Sequence, residues 1–209
     1  MSQIIVIPNV APQYNESSNL RKKKIINVAR LDPQKDPALL VRAFALLKDQ
    51  FPDWTCEWWG ETSIKPSLTK QIEELIAREG LEKRFLLKGV TNDVSKQLRD
   101  ASIFAFPSEI EGFSLALAEG FAMGLPAVGR KDCPSVNTLI RDGENGFLYT
   151  YNVADDLAKN MEKFIGNVEL LKKMGEKACN MAKNNFTAER NAANVEELYY
   201  EIVQKRGEK

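Results

Sequence analysis

Residues 102–126, S-I-F-A-F-P-S-E-I-E-G-F-S-L-A-L-A-E-G-F-A-M-G-L-P, place a short apolar run, a turn and a helix-compatible run in immediate succession. The run A-S-I-F-A-F (101–106) reads as a buried strand, and the residues after Gly112 as a helix ending near Gly124. Glu111 then lies in a strand-to-helix turn, and Glu119 about two turns into the helix. A helix N-terminus carries free N–H groups and a positive dipole end, which suit a phosphate. Two carboxylates bracketing such a point can accept hydrogen bonds from the hydroxyls of a sugar and a ribose. The combination points to a nucleotide-sugar site.

Outward from this unit the chain alternates. Apolar runs K-I-I-N-V-A (24–29), W-T-C-E-W-W-G (54–60), F-L-L-K-G (85–89), P-A-V-G (126–129) and G-F-L-Y (146–149) read as strands. Between them lie an amphipathic helix with Pro37 in its first turn, a helix stopped by Gly80, a short helix capped by Asn92 or Asp93, and the segment Ser135 to Arg141. The opening I-I-V-I-P-N-V-A-P (4–12) reads as a strand ended by proline, followed by a polar segment. Three helices are expected at about 153–165, 167–183 and 187–205. The expected fold is α/β: a Rossmann-like open parallel sheet with helices on both faces and C-terminal helices. One domain over 1–209 is expected, with hinge strand and linker over 1–23, a strand-helix core over 24–152 and helices over 153–209. In such sheets ligands sit at the carboxyl ends of strands, here the loops after Ala29, Gly60, Gly89 and Pro107.

Composition narrows the chemistry. Of 209 residues, 44% are hydrophobic, enough for a sizeable core, and Lys plus Arg balances Asp plus Glu at 29 each. A neutral chain lacks the general pull of a basic domain on nucleic acid, so no nucleic-acid partner is expected. Three cysteines (Cys56, Cys133, Cys179) show no metal-ligand spacing and read as reduced cytosolic thiols. Histidine is absent, which removes Ser-His-Asp and Cys-His catalysis. No apolar run approaches a membrane span, and the N-terminus lacks a signal-peptide pattern. A cytoplasmic location is expected, with the inner face of the membrane as the alternative.

Arg30 and Lys35 lie in the loop after the strand 24–29, where two cations can neutralise a diphosphate. An ordinary charged loop, with Arg30 paired to Asp32 or Asp36, is the competing reading. At the turn, Gly112 permits close backbone approach or positive φ, and the amides of Phe113, Ser114 and Leu115 are donors at the helix start. Glu119, amid Leu117, Ala118, Phe121 and Ala122, calls for a partner. Asp155-Asp156 reads as capping, Trp58-Trp59 as strand packing, Asp142 to Gly146 as a turn and Arg21 to Lys24 as a solvated flank. Neither G-x-G-x-x-G nor G-x-x-x-x-G-K occurs.

Together these pieces resemble the C-terminal half of a family 4 (GT-B fold) glycosyltransferase, over roughly residues 5–205 in consistent order. P-S-E-I-E-G-F-S-L-A-L-A-E-G-F-A-M-G-L-P-A-V resembles its E-x(7)-E signature, V-A-R-L-D-P-Q-K-D-P its donor-phosphate loop, V-I-P-N its interdomain hinge strand and D-G-E-N-G-F-L-Y the segment after the signature helix. The resemblance implies that Arg30 and Lys35 bind the donor diphosphate. It places Glu111 at the donor sugar, Gly112, Phe113, Ser114 and Leu115 at phosphate or sugar, Glu119 at the ribose and the backbone around Val90 at the base. Glu111, Arg30 and Lys35 are the implied catalytic set. No cofactor or metal is implied. The implied partners are a UDP- or GDP-sugar, a glycan or lipid-linked acceptor and an N-terminal acceptor domain, through which peripheral membrane association would arise.

The sequence departs from the family at Ala29, where glycine is common, and at Arg130-Lys131 and C-P-S-V-N-T-L-I, which replace a glycine-containing loop and put Thr138 in an acidic position. Only about a dozen residues precede the donor-side domain, so an expressed fragment, or otherwise a naturally split subunit, is expected. The rival readings are a non-catalytic nucleotide-sugar-binding or interaction module, and another GT-B enzyme such as a nucleotide-sugar epimerase or a phosphorylase.

Overall fold

The computed structural model describes residues 5–150 and 153–207, with side chains through residue 204. Six strands form one parallel sheet: β1 (Lys24–Val28), β2 (Thr55–Trp59), β3 (Phe85–Gly89), β4 (Ile103–Phe106), β5 (Ala127–Arg130) and β6 (Gly146–Tyr149), in the order β3-β2-β1-β4-β5-β6. The interior strands β4 and β5 are buried at every residue, as strands covered on both faces must be. That is why β4 reads as an unbroken apolar run rather than an alternating one, and β5 does so as far as Gly129.

The helices are α1 (Pro37–Leu47), α2 (Pro66–Arg78), α3 (Val94–Arg99), α4 (Leu115–Ala122), α5 (Pro134–Leu139), α6 (Ala154–Glu162), α7 (Val168–Asn185) and α8 (Ala188–Gly207). On one face α1 packs against α2 and α6; on the other α4 packs against α7. Phe44, Phe85, Trp58, Phe104, Phe121 and Phe164 fill the space between sheet and helices, the large rings supplying much of the buried apolar area. Proline opens α1, α2 and α5, where a missing N–H costs nothing. Asp93 caps α3, accepting from the Lys96 amide at 2.9 Å.

One expected element is absent. Residues 5–12 form no strand, and Val6 is 82% exposed; Ile4 lies outside the described residues. Pro8 and Pro12 have no N–H for a ladder. The segment bonds to the C-terminal helices instead: the Ala11 amide donates to the Phe186 carbonyl (2.9 Å) and the Asn191 side chain to the Pro8 carbonyl (2.7 Å). The segment expected as hinge strand and linker is thus an irregular strap across residues 5–23, tied further by Ser18 to the Met123 carbonyl.

Candidate functional site

Strand order reverses between β1 and β4, so the connections leaving their carboxyl ends diverge and open a crevice between them. The β1–α1 connection carries Arg30 and Lys35, and the β4–α4 connection carries Glu111 through Ser114. The first connection is stiffened locally. Asp32 accepts from the Gln34 amide (3.1 Å) at a 3-10 turn over Pro33–Lys35, and Asp36, at φ 44°, caps α1 through the Leu39 amide (3.1 Å). A non-glycine residue held at positive φ is strained, and the cap is what retains it.

The two connections touch. The Glu109 amide donates to the Gln34 carbonyl at 2.8 Å. One residue further along the first connection and two along the second, the Lys35 ammonium contacts the Glu111 carboxylate, both side chains being 15% exposed. The cation expected to meet phosphate and the acid expected to meet sugar therefore neutralise each other here. Arg30 behaves differently: its side chain is 58% exposed, with Asp32 at 3.9 Å. Lys65 supplies Asp32 with a closer cation at 3.0 Å, and the Lys65 hydrogen bond and the Gln34 amide hold the Asp32 carboxyl below its ordinary range.

Helix α4 begins at Leu115, with Ser114 as its cap accepting from the Leu117 amide at 3.3 Å. Glu119 is thus the fifth helical residue, little more than one turn in rather than two, because the turn Ile110–Phe113 is not helical. Among the described residues, no hydrogen bond engages the amides of Phe113, Ser114 or Leu115. Phe113 packs edge-on against Phe186 (centroids 5.5 Å apart), which anchors the turn to the C-terminal helices. Gly112 has no positive φ, and a Cβ there would meet nothing within 4 Å. The chain itself does not need glycine at this position. Ala29, which stands where glycine is common in the family, faces the opposite constraint: its carbonyl lies 2.1 Å from where a Cβ on Gly60 would stand, so Gly60 carries the close approach.

Glu119 is partly buried, and burial raises its carboxyl above the ordinary value. Tyr14 lies in the same neighbourhood: burial first, then the charges of Glu119 and Asp93, push its phenol up to about 12. Tyr14 comes from a polar segment with no periodicity, so nothing in the sequence marks it. Val90 stands 65% exposed just past β3, on the far edge of the sheet, in the loop leading to Asp93. The structure thus brings Lys35, Glu111 and the α4 start together and sets Glu119 with Tyr14 deeper along the helix. Arg30 and Val90 remain on the solvent side.

Among the described residues, no group of His, Cys, Asp or Glu is arranged to hold a metal ion, and no helix is long and apolar enough to cross a membrane. Thr138 bonds back to the Ser135 carbonyl (2.7 Å) within α5. Trp58 is a core residue, its indole donating to the Ala29 carbonyl at 2.8 Å.

The chain is 32% identical over 179 residues to a Campylobacter jejuni N-acetylgalactosamine-N,N'-diacetylbacillosaminyl-diphospho-undecaprenol 4-alpha-N-acetylgalactosaminyltransferase, covering 86% of this chain and 47% of that protein. A Rickettsia africae glycosyltransferase structure superposes with a TM-score of 0.81 at 26% identity, over 88% of this chain and 48% of that one. Anabaena HepE, solved in complex with UDP and glucose, superposes with a TM-score of 0.78 at 24% identity, over 86% and 48% of the respective chains, and shares the fold. The chain spans about half the length of the curated relatives it matches. The family model described as "Glycosyl transferases group 1" matches residues 13–181, and with most of the chain so matched, the protein belongs to the group 1 glycosyl transferases.

Proposed function

We propose that this chain is the donor-binding half of a retaining, GT-B glycosyltransferase, which transfers a hexose from a nucleoside diphosphate to a glycan or lipid-linked glycan. The observation that carries the reading is the meeting of Lys35 and Glu111 beside the free amides of the α4 start, at the point where strand order reverses. Such a site offers a movable cation and N–H donors for a diphosphate and a carboxylate for a sugar hydroxyl. Relatives that act on diphospho-undecaprenol acceptors and a fold neighbour holding UDP and glucose support the same class of ligand.

The arriving diphosphate would draw the Lys35 ammonium away from Glu111. Arg30, exposed and loosely held, would swing onto the same phosphates. Freed, Glu111 would accept from the sugar hydroxyls, Glu119 would accept from the ribose, and Gly112 would leave room for the ligand against the backbone. In the transfer, the bond from the anomeric carbon to the phosphate oxygen breaks, its electron pair leaving on the diphosphate. The acceptor oxygen bonds to that carbon on the same face, and its proton passes to the departing phosphate oxygen. Lys35, Arg30 and the α4 amides stabilise the charge that develops on the leaving group.

Calorimetric titration of the folded chain with UDP and GDP tests the reading. Binding is expected to be weak, because the diphosphate must first displace Lys35 from Glu111. Silence with both nucleotides at millimolar concentration sinks it. Alanine at Glu119 is expected to weaken the bare nucleotide, whereas Glu111→Ala should weaken the nucleotide sugar more than the nucleotide.

A further inference from the structure

We propose that Arg130 is the positioning residue of this site, holding the two donor-side connections in register from beneath. The inference rests on the donor-site reading above. Arg130 ends β5, next to β4 in the sheet, and its side chain is only 2% exposed. A guanidinium so deeply covered needs several anionic partners. It has them from three directions: Asp132 at 2.7 Å and 3.3 Å, Glu109 at 3.2 Å and Asp36 at 3.8 Å.

Two of these carboxylates are informative by their place. Asp36 follows Lys35 directly on the β1–α1 connection, and Glu109 lies two residues before Glu111 on the β4–α4 connection. Arg130 therefore spans the crevice from below and fixes the backbone on either side of the Lys35–Glu111 contact. Its neighbour across β5 and β6, Tyr149, adds a long contact from its hydroxyl to the Pro107 carbonyl (3.4 Å), at the root of the same β4–α4 turn. Burial alone would pull the Arg130 pKa down, yet the carboxylates of Asp132 and Glu109 beside it raise it, so the cation is retained at any working pH.

Asp132 alone would balance the charge of Arg130 without tying the two connections to each other. Bridging Asp36 to Glu109 instead couples the position of Lys35 to that of Glu111. The consequence is measurable: loosening the bridge should weaken ligand binding through Lys35.

The experiment is a calorimetric UDP titration of the whole chain in wild type, Glu109→Ala, Glu109→Gln, Arg130→Lys, Lys35→Ala and the Glu109→Ala/Lys35→Ala double variant, each checked for folding by circular dichroism. Glu109 is 41% exposed, so its truncation is compatible with a folded protein even where Arg130→Lys is not. Glu109→Ala is expected to raise Kd about fivefold, Glu109→Gln to recover part of that by keeping an acceptor, and Lys35→Ala to cost at least about threefold less in the Glu109→Ala background than in wild type. Wild-type Kd in folded Glu109→Ala, or strictly additive effects of Glu109 and Lys35, overturns the inference and leaves the donor site standing. If Arg130→Lys does not fold, the Glu109 series decides. A folded wild type that binds no UDP removes the donor-site reading, and this inference with it.

Discussion

Glu119 concentrates the tension between stability and binding at the scale of one residue. Burial raises its carboxyl above the ordinary value, so the folded state holds the proton more tightly than the unfolded chain does. Its favourable contribution is fully present below the unfolded value and is lost as pH rises through the folded one. Glutamine imitates the protonated form, so Glu119→Gln should match wild type well below pH 4.5 and be the more stable of the two at pH 7. Urea unfolding at both pH values checks this; a variant less stable at pH 7 would show that Glu119 has a stabilising partner. The sequence flags Glu119 because a lone acid amid apolar residues is conspicuous. Arg130 is as important but reads only as a departure from the family. Its meaning depends on Asp36, Glu109 and Asp132 converging from separate connections, and no local pattern encodes that.

Elements were largely legible because strand and helix periodicities survive in a sheet covered on both faces: the six described strands and the helices α1 to α5 lie within a residue or so of the alternating segments, and α6 to α8 near the three helices expected after residue 153. The failures share a cause. The strand expected within residues 5–12 and the early start of α4 are decided by which hydrogen bonds are available, and apolar periodicity does not record that. Gly120 shows the same limit inside a helix. Propensity alone predicts that alanine there would stabilise α4 by about 1 kcal/mol. A Cβ at Gly120, however, would stand 2.7 Å from Cδ2 of Phe104, which is fully buried in β4. Phe104 is itself packed beside Phe106, with ring centroids 6.1 Å apart, and has little room to yield. Gly120→Ala is therefore expected to destabilise the fold by about 1–3 kcal/mol. An increase in denaturant midpoint would mean that the β4–α4 contact is softer than the structure shows.

For the whole molecule, the strand order β3-β2-β1-β4-β5-β6 decides where function can sit, because it divides the sheet into two halves that meet at β1 and β4. The alternation in sequence specifies a parallel sheet but not this order, so the crevice could be narrowed to four loops and no further. Of these, the structure joins the loops after β1 and β4, one from each half, by Gln34 to Glu109 and by Lys35 to Glu111. A ligand seated there must fasten both halves at once. At a UDP concentration 100 times Kd, binding adds about 2.7 kcal/mol to folded-state stability. For a chain of 209 residues unfolding in one step, that is a rise in Tm of roughly 5–10 °C. Hydrogen exchange under the same conditions should slow in residues 31–36 and in residues 111–117 together, since the first belong to one half of the sheet and the second to the other. Lys35→Ala should shrink both effects at the same UDP concentration. Protection confined to one connection would contradict a ligand bridging the halves, and would place the diphosphate on the α4 start without Lys35.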